Sequence, residues 1–166
     1  MANSPVRFSE QAESLLTASP SLLPGVSRLI QHLKANNIPI AVATSSRRRN
    51  YVLKTAHHSQ VFSCFDEKIV CGDDVHYNIR SKPEPDIFLA AANLLGRDVG
   101  VGTTKATDLQ IEERRKGLVF EDAIPGLQAG KRAGMAGEIV RTLQCCNFTI
   151  YASCLGSRPK FVGYPL

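Results

Sequence analysis

Three short stretches of this chain carry side chains suited to handling a phosphoryl group. Thr44-Ser45-Ser46 offers hydroxyls, Lys82 an ammonium, and Glu121-Asp122 two adjacent carboxylates. A hydroxyl beside backbone N–H groups at a helix start makes a seat for phosphate. Lys82 stands in Ser81-Lys-Pro-Glu-Pro-Asp86, where two prolines stiffen the loop and can aim the ammonium at a phosphoryl oxygen. Neighbouring carboxylates suit Mg²⁺, a hard cation that takes oxygen ligands. Taken alone, each group has a plainer use: a helix cap, a solvated lysine, an acidic pair answering a helix dipole. Taken together, in this order and after successive strands, they point to a site for phosphate and metal.

The elements that must position these groups show as patterns. From Pro24 to about Met135 helical and strand-like stretches alternate, which predicts an α/β domain with a parallel sheet. Val26, Leu29, Ile30 and Leu33 recur at helical spacing and stop at Asn36-Asn37. The apolar run from Ile38 to Thr44 suits a strand buried on both faces. Ser45 or Ser46 could cap the next helix, expected from about Arg47 to His57. Lys68 to Gly72 reads as a second strand ending in Asp73-Asp74. Pro83 and Pro85 introduce a helix carrying Ile87, Phe88, Ala91, Leu94 and Leu95, with Gly96 as its stop. Residues 97–116 are polar and read as a loop or insertion. Gly117 to Phe120 is a third strand running into Glu121-Asp122. Pro125 opens a last helix, in which Gly126, Gly130 and Gly134 leave a bare stripe for a close neighbour. Residues 8–18 could form a short amphipathic helix. After Met135 the rhythm stops, and the tail shows no clear register.

Composition narrows the function classes. A chain of 166 residues, 43% apolar and 21% charged, fits one globular domain, or one domain with a remnant of a second. Its net charge of +5 favours small anions slightly. The positive residues alternate with acids, as in Glu112-Glu-Arg-Arg-Lys116, so no nucleic-acid partner is expected. No apolar run approaches the roughly 20 residues that cross a bilayer, and Met1–Glu10 has no signal-peptide core, so neither membrane nor secretion is expected. The five cysteines, Cys64, Cys71, Cys145, Cys146 and Cys154, form neither a disulfide framework nor a metal pair and read as free thiols of a cytoplasmic protein. Gly100-Val-Gly102 lacks the third glycine of a dinucleotide loop, and Gly126 to Lys131 is one residue short of a Walker loop.

With these residues in view, the chain resembles the haloacid dehalogenase-like (HAD-like) hydrolase superfamily. Within it, the chain looks like the pseudouridine-5′-phosphatase branch, with β-phosphoglucomutase-like phosphatases as relatives. The matching text is Leu23-Pro-Gly-Val26, Ile38 to Ser46, Val61-Phe-Ser-Cys-Phe65, Gly72-Asp-Asp74, Ser81 to Phe88, and Val119 to Gly126. The resemblance implies a Rossmann-like HAD core, a parallel sheet flanked by helices. It gives Thr44, Ser45 and Lys82 to substrate binding, Thr44 and Lys82 to phosphoryl stabilisation, and Asp122 with Glu121 to Mg²⁺. The implied partner is a small phosphorylated molecule such as pseudouridine 5′-phosphate or a sugar phosphate.

One part of the family pattern is absent. The family nucleophile belongs to an Asp-x-Asp pair closing the first strand. Here the aspartates are 66, 73, 74, 86, 98, 108 and 122, and no two are separated by a single residue. The expected organisation is therefore a cap remnant over residues 1–22, a HAD-like core over 23–135 lacking its first strand and most of its helical cap, and a divergent tail over 136–166. Without that strand, those ending at Thr44 and Asp122 must leave backbone groups unpaired, pair with each other, or recruit a tail segment. A buried unpaired backbone group costs roughly 1–3 kcal/mol, so the choice is consequential. The resemblance implies a phosphatase core with negligible turnover, or else a non-catalytic phosphate-binding module or a fragment needing a partner chain.

Overall fold

The computed structural model describes Leu22, residues 24–139 and residues 150–153. The expected cap remnant, its helix at 8–18, and Cys145, Cys146 and Cys154 lie outside the described residues. The chain runs α1 (Val26–Ala35), β1 (Ile40–Thr44), α2 (Arg48–Thr55), α3 (Ser59–Phe62), β2 (Ile69–Cys71), α4 (Asp86–Leu94), α5 (Asp108–Arg115), β3 (Gly117–Glu121), α6 (Ile124–Arg132), β4 (Ala136–Ile139) and β5 (Ile150–Ser153). The five strands form one sheet in the order β2-β1-β5-β3-β4.

Alternation along β1 builds the two faces of the core. All of its residues are buried. Ala41 and Ala43 face the layer of α4 and α6, with Phe88, Ala91, Val119 and Ala129. Ile40 and Val42 face the layer of α1, α2 and α3, with Ile30, Leu33, Tyr51 and Phe65. A strand covered on both sides must be apolar at every position, which is why Ile40–Thr44 reads as a continuous run. The alanines on one face let α4 approach closely. That helix is buried at seven consecutive positions, Asp86 to Ala92, rather than along a stripe. Its end follows the expected pattern: Gly96 takes φ +77°, and the Arg97 N–H closes back on Ala92 O.

Two sequence expectations are corrected. Residues 97–116 are not all loop, because α5 occupies Asp108–Arg115. Its start is a full capping box: Thr107 accepts from the Gln110 N–H while the Gln110 side chain accepts from the Thr107 N–H. That Thr-x-x-Gln spacing was present in the sequence, obscured by charge. The tail, in turn, has a register. β4 runs parallel to β3, and β5 lies antiparallel between β1 and β3.

That placement answers the backbone problem raised by the sequence. β1 and β3 do not face an empty lane; Ile150–Ser153 pairs with both. The central strand is recruited from the tail and reverses direction in an otherwise parallel sheet. Ile150 is opposite Val42 on one side and Phe120 on the other. Val42 and Phe120 therefore stand level across β5; β1 ends two residues further on at Thr44, and β3 one residue further on at Glu121.

Candidate phosphate and metal site

The carboxyl ends of β1, β2 and β3 meet at one edge, and each delivers polar groups there. Thr44 closes β1 fully buried, and its Oγ1 accepts from the Ser46 N–H at 3.1 Å, shaping the turn that follows. This turn is held against the end of β2: the Gly72 N–H donates to Ser46 O at 3.1 Å, and a Cβ on Gly72 would lie 2.6 Å from Ser45 O. Only glycine allows that approach. Lys54, from the later part of α2, reaches back and donates to Ser46 Oγ at 3.2 Å.

Neither Ser45 nor Ser46 caps α2, contrary to the sequence expectation; its N-cap is Arg47, whose side chain makes no cap bond. The cap comes from another element. Asp73 Oδ1 accepts from the Arg48 N–H at 2.8 Å, and Asp74 Oδ2 accepts from Arg48 Nη2 at 2.6 Å and from the Cys71 N–H at 2.8 Å. Asp73-Asp74 therefore ties α2 to β2 and shapes the hydroxyl loop from below. Asp73→Ala should cost about 1 kcal/mol, the usual worth of a lost cap, readable by urea denaturation. Cys71 beside them is no nucleophile, since burial pushes its thiol up to about 11.

Lys82 and Glu121 form the centre of the edge. Lys82 Nζ donates to Glu121 Oε2 at 2.6 Å, with the side chains only 12% and 4% exposed. The ammonium also stands 5.0 Å from the Phe88 ring centroid, within cation–π range. Glu121 Oε1 accepts from the Ala123 N–H at 3.3 Å. The glutamate fits this way because α6 presents Gly126 to it; a Cβ there would lie 2.1 Å from Glu121 Cδ. Expected as a metal ligand with Asp122, Glu121 is also the counter-charge of Lys82, a contact the sequence did not anticipate.

Asp122 is the partly exposed member of the acidic pair. Burial raises its carboxyl above the ordinary 3.8, and the Glu121 hydrogen bond and charge raise it further. A raised acid binds its proton more tightly folded than unfolded, so stability falls as pH climbs from about 3.8 through the folded value. Asp122→Asn should flatten that part of a stability–pH curve. Two adjacent carboxylates beside a single lysine at a strand end are oxygen donors of the kind Mg²⁺ takes, and Asp122 is the more exposed of the two.

The close neighbour of the glycine stripe is β3: Gly126 meets Glu121 and Gly130 meets Val119, while Gly134, expected within the stripe, follows the helix at φ +78°. Thr44, Lys82, Glu121 and Asp122 thus share one sheet edge, with Lys82 and Glu121 in direct contact. Sequence reasoning missed the structural duties of Gly72, Asp73 and Asp74, whose one local signal was the Gly-Asp-Asp run after a strand.

A Rossmann-like sheet with a hydroxyl loop, a lysine loop and an acidic strand end along one edge defines a class of open α/β domains whose polar groups gather at the strand ends. A family model of haloacid dehalogenase-like hydrolases matches residues 4–134, and the chain belongs to that family. It is 42% identical over 131 residues to (DL)-glycerol-3-phosphatase 2 of Arabidopsis thaliana, covering 77% of this chain and 49% of that protein. It is 40% identical over 121 residues to a probable pseudouridine-5′-phosphatase of Drosophila melanogaster, covering 73% and 46%. Among solved structures, a HAD hydrolase of family IA, variant 3, from Entamoeba histolytica superposes with a TM-score of 0.58 at 28% identity, covering 81% of this chain and 56% of that one. The chain spans about half the length of these curated relatives. Among the described residues no helix is long and apolar enough to cross a membrane.

Proposed function

We propose that this chain is a HAD-like phosphatase core that holds a small phosphomonoester and Mg²⁺ without turning the ester over. The observation that carries the reading is the buried Lys82–Glu121 pair at the strand ends, beside Asp122 and at the same sheet edge as Thr44. The Lys82 ammonium is the positive charge at this edge that would answer a phosphoryl oxygen, with Glu121 holding it in place. The Thr44 hydroxyl and the Ser45-Ser46 turn would take further oxygens. Mg²⁺ at Asp122 would neutralise phosphoryl charge, the main electrostatic task in phosphoryl transfer.

Turnover would also need a carboxylate poised to attack phosphorus. The lane between β1 and β3 is taken by Ile150-Tyr-Ala-Ser153, which has no acid, and beyond Asp122 the sequence offers only Glu138. The substrate class follows from the relatives, whose names specify phosphatases of glycerol 3-phosphate and pseudouridine 5′-phosphate. A partner chain completing the sheet is less favoured, because β5 already pairs with both neighbours.

Calorimetric titration of the purified chain with inorganic phosphate, with and without Mg²⁺, tests the binding half. Phosphate release from glycerol 3-phosphate and pseudouridine 5′-phosphate tests the other. Binding that Mg²⁺ strengthens, with no release, is the expected result. Mg²⁺-dependent release would overturn the non-catalytic half, and no heat with either ligand would overturn the whole reading.

A further inference from the structure

We propose that α6 is a strut that fixes the Lys82–Glu121 pair from both ends, and that Arg132, at its far end, is a positioning residue for Lys82. At the start of α6, Gly126 lies against Glu121, and the Ala123 N–H holds Oε1. At its end, Arg132 Nη1 donates to Pro83 O at 3.3 Å and to Glu84 Oε1 at 2.8 Å. Between them Ala129 and Gly130 are buried, with Gly130 against Val119 of β3. Nine residues of helix span ~13 Å, and the packing leaves them no room to slide. Each partner of the 2.6 Å pair is thus referred to the same rigid element, Glu121 directly and Lys82 through the two residues that follow it.

The loop is clamped on its other side too. Arg80 forks onto buried Asp86, Nε to Oδ1 at 3.2 Å and Nη2 to Oδ2 at 3.0 Å, and Nη2 also reaches Gly102 O at 3.3 Å. Glu84 receives both arginines, with Oε2 facing Arg80 at 3.3 Å and Oε1 facing Arg132 at 2.8 Å. Lys82 therefore projects from a short segment held at residue 80 and again at residues 83 and 84. A lysine loses much rotamer freedom when ordered, so fixing its backbone beforehand leaves less to lose on meeting an anion.

This role is separable from stability. Arg132 and Glu84 are substantially exposed, and exposed ion pairs contribute little to folding. The test uses the whole chain with Arg132→Ala and Glu84→Ala, the second removing the shared partner of both arginines. Two readouts are taken: the side-chain NMR signals of Lys82, assigned by their loss in Lys82→Met, and inorganic phosphate affinity by calorimetry. The Lys82 signals should move toward those of exposed lysines in both variants, with phosphate affinity falling about 10-fold. The melting temperature should change by no more than about 2 °C.

Unchanged Lys82 signals in either variant overturn the strut. A shift accompanied by a melting loss above about 5 °C also overturns it, because Arg132 would then be ordinary structural support. The affinity arm rests on the phosphate-binding reading and the spectroscopic arm does not. Lys82 shifts without phosphate binding in any form, parent chain included, would support the strut and refute that reading.

Discussion

Lys82→Met is expected to destabilise the chain by about 3–5 kcal/mol, more than a surface lysine could account for. Glu121 is 4% exposed, and its Oε2 lies 2.6 Å from the ammonium, so removing the cation leaves a buried carboxylate without its counter-charge. The backbone N–H of Ala123 on Oε1 is a hydrogen bond and does not replace that charge. The pair itself is a different matter: taking both charges out together removes the desolvation penalty along with the attraction. Lys82→Met with Glu121→Leu should therefore recover most of the lost stability, and a double-mutant cycle by urea denaturation reads the coupling. Phosphate binding should vanish in both variants. If Lys82→Met alone were neutral, the buried pair at the centre of this site would be excluded.

Gly126→Ala should be the costliest single-methyl addition on α6. The new Cβ would lie 2.1 Å from both Cδ and Oε2 of Glu121, far inside contact distance. Either Glu121 swings aside and pulls the ion pair apart, or α6 lifts off β3. Overpacking of this kind costs about 1–3 kcal/mol, a fall of roughly 2–12 °C in melting temperature for a chain of this size. Gly130→Ala is the control, because its Cβ would meet Val119 at 3.4 Å, an ordinary contact. A melting temperature for Gly126→Ala equal to that of Gly130→Ala would refute the close seat of Glu121. Weaker phosphate binding in Gly126→Ala alone would tie the seat to the site.

The same geometry explains why some residues could be read in advance and others could not. β1 is legible because burial on both faces leaves an unbroken apolar run from Ile40 to Ala43. α4 is legible through its prolines and its Gly96 stop. α5 was lost in the charge of Glu112 to Lys116, although Thr107 and Gln110 stood at capping-box spacing. The roles within the site divide similarly. Lys82 was readable from the two prolines around it, but its partner was not, since Glu121 lies 39 positions away and nothing local distinguishes a counter-ion from a metal ligand. Asp73 was visible as an acid after a strand, yet its duty as the cap of a helix 25 residues earlier exists only when α2 packs against β2.

By itself the sequence determined the alternating α/β layers and the place of the three polar stretches at strand ends, because hydrophobic period, proline, glycine and capping residues act over a few neighbours. It also raised the problem of an unfilled lane between the strands ending at Thr44 and Asp122. Only the tertiary structure decided how that lane is filled. Ile150–Ser153 enters it antiparallel, a pairing that depends on backbone hydrogen bonds between segments more than a hundred residues apart on the β1 side, where no side-chain pattern records a partner. The tertiary structure likewise decided which acid answers Lys82, because a buried charge is settled by what surrounds it in space.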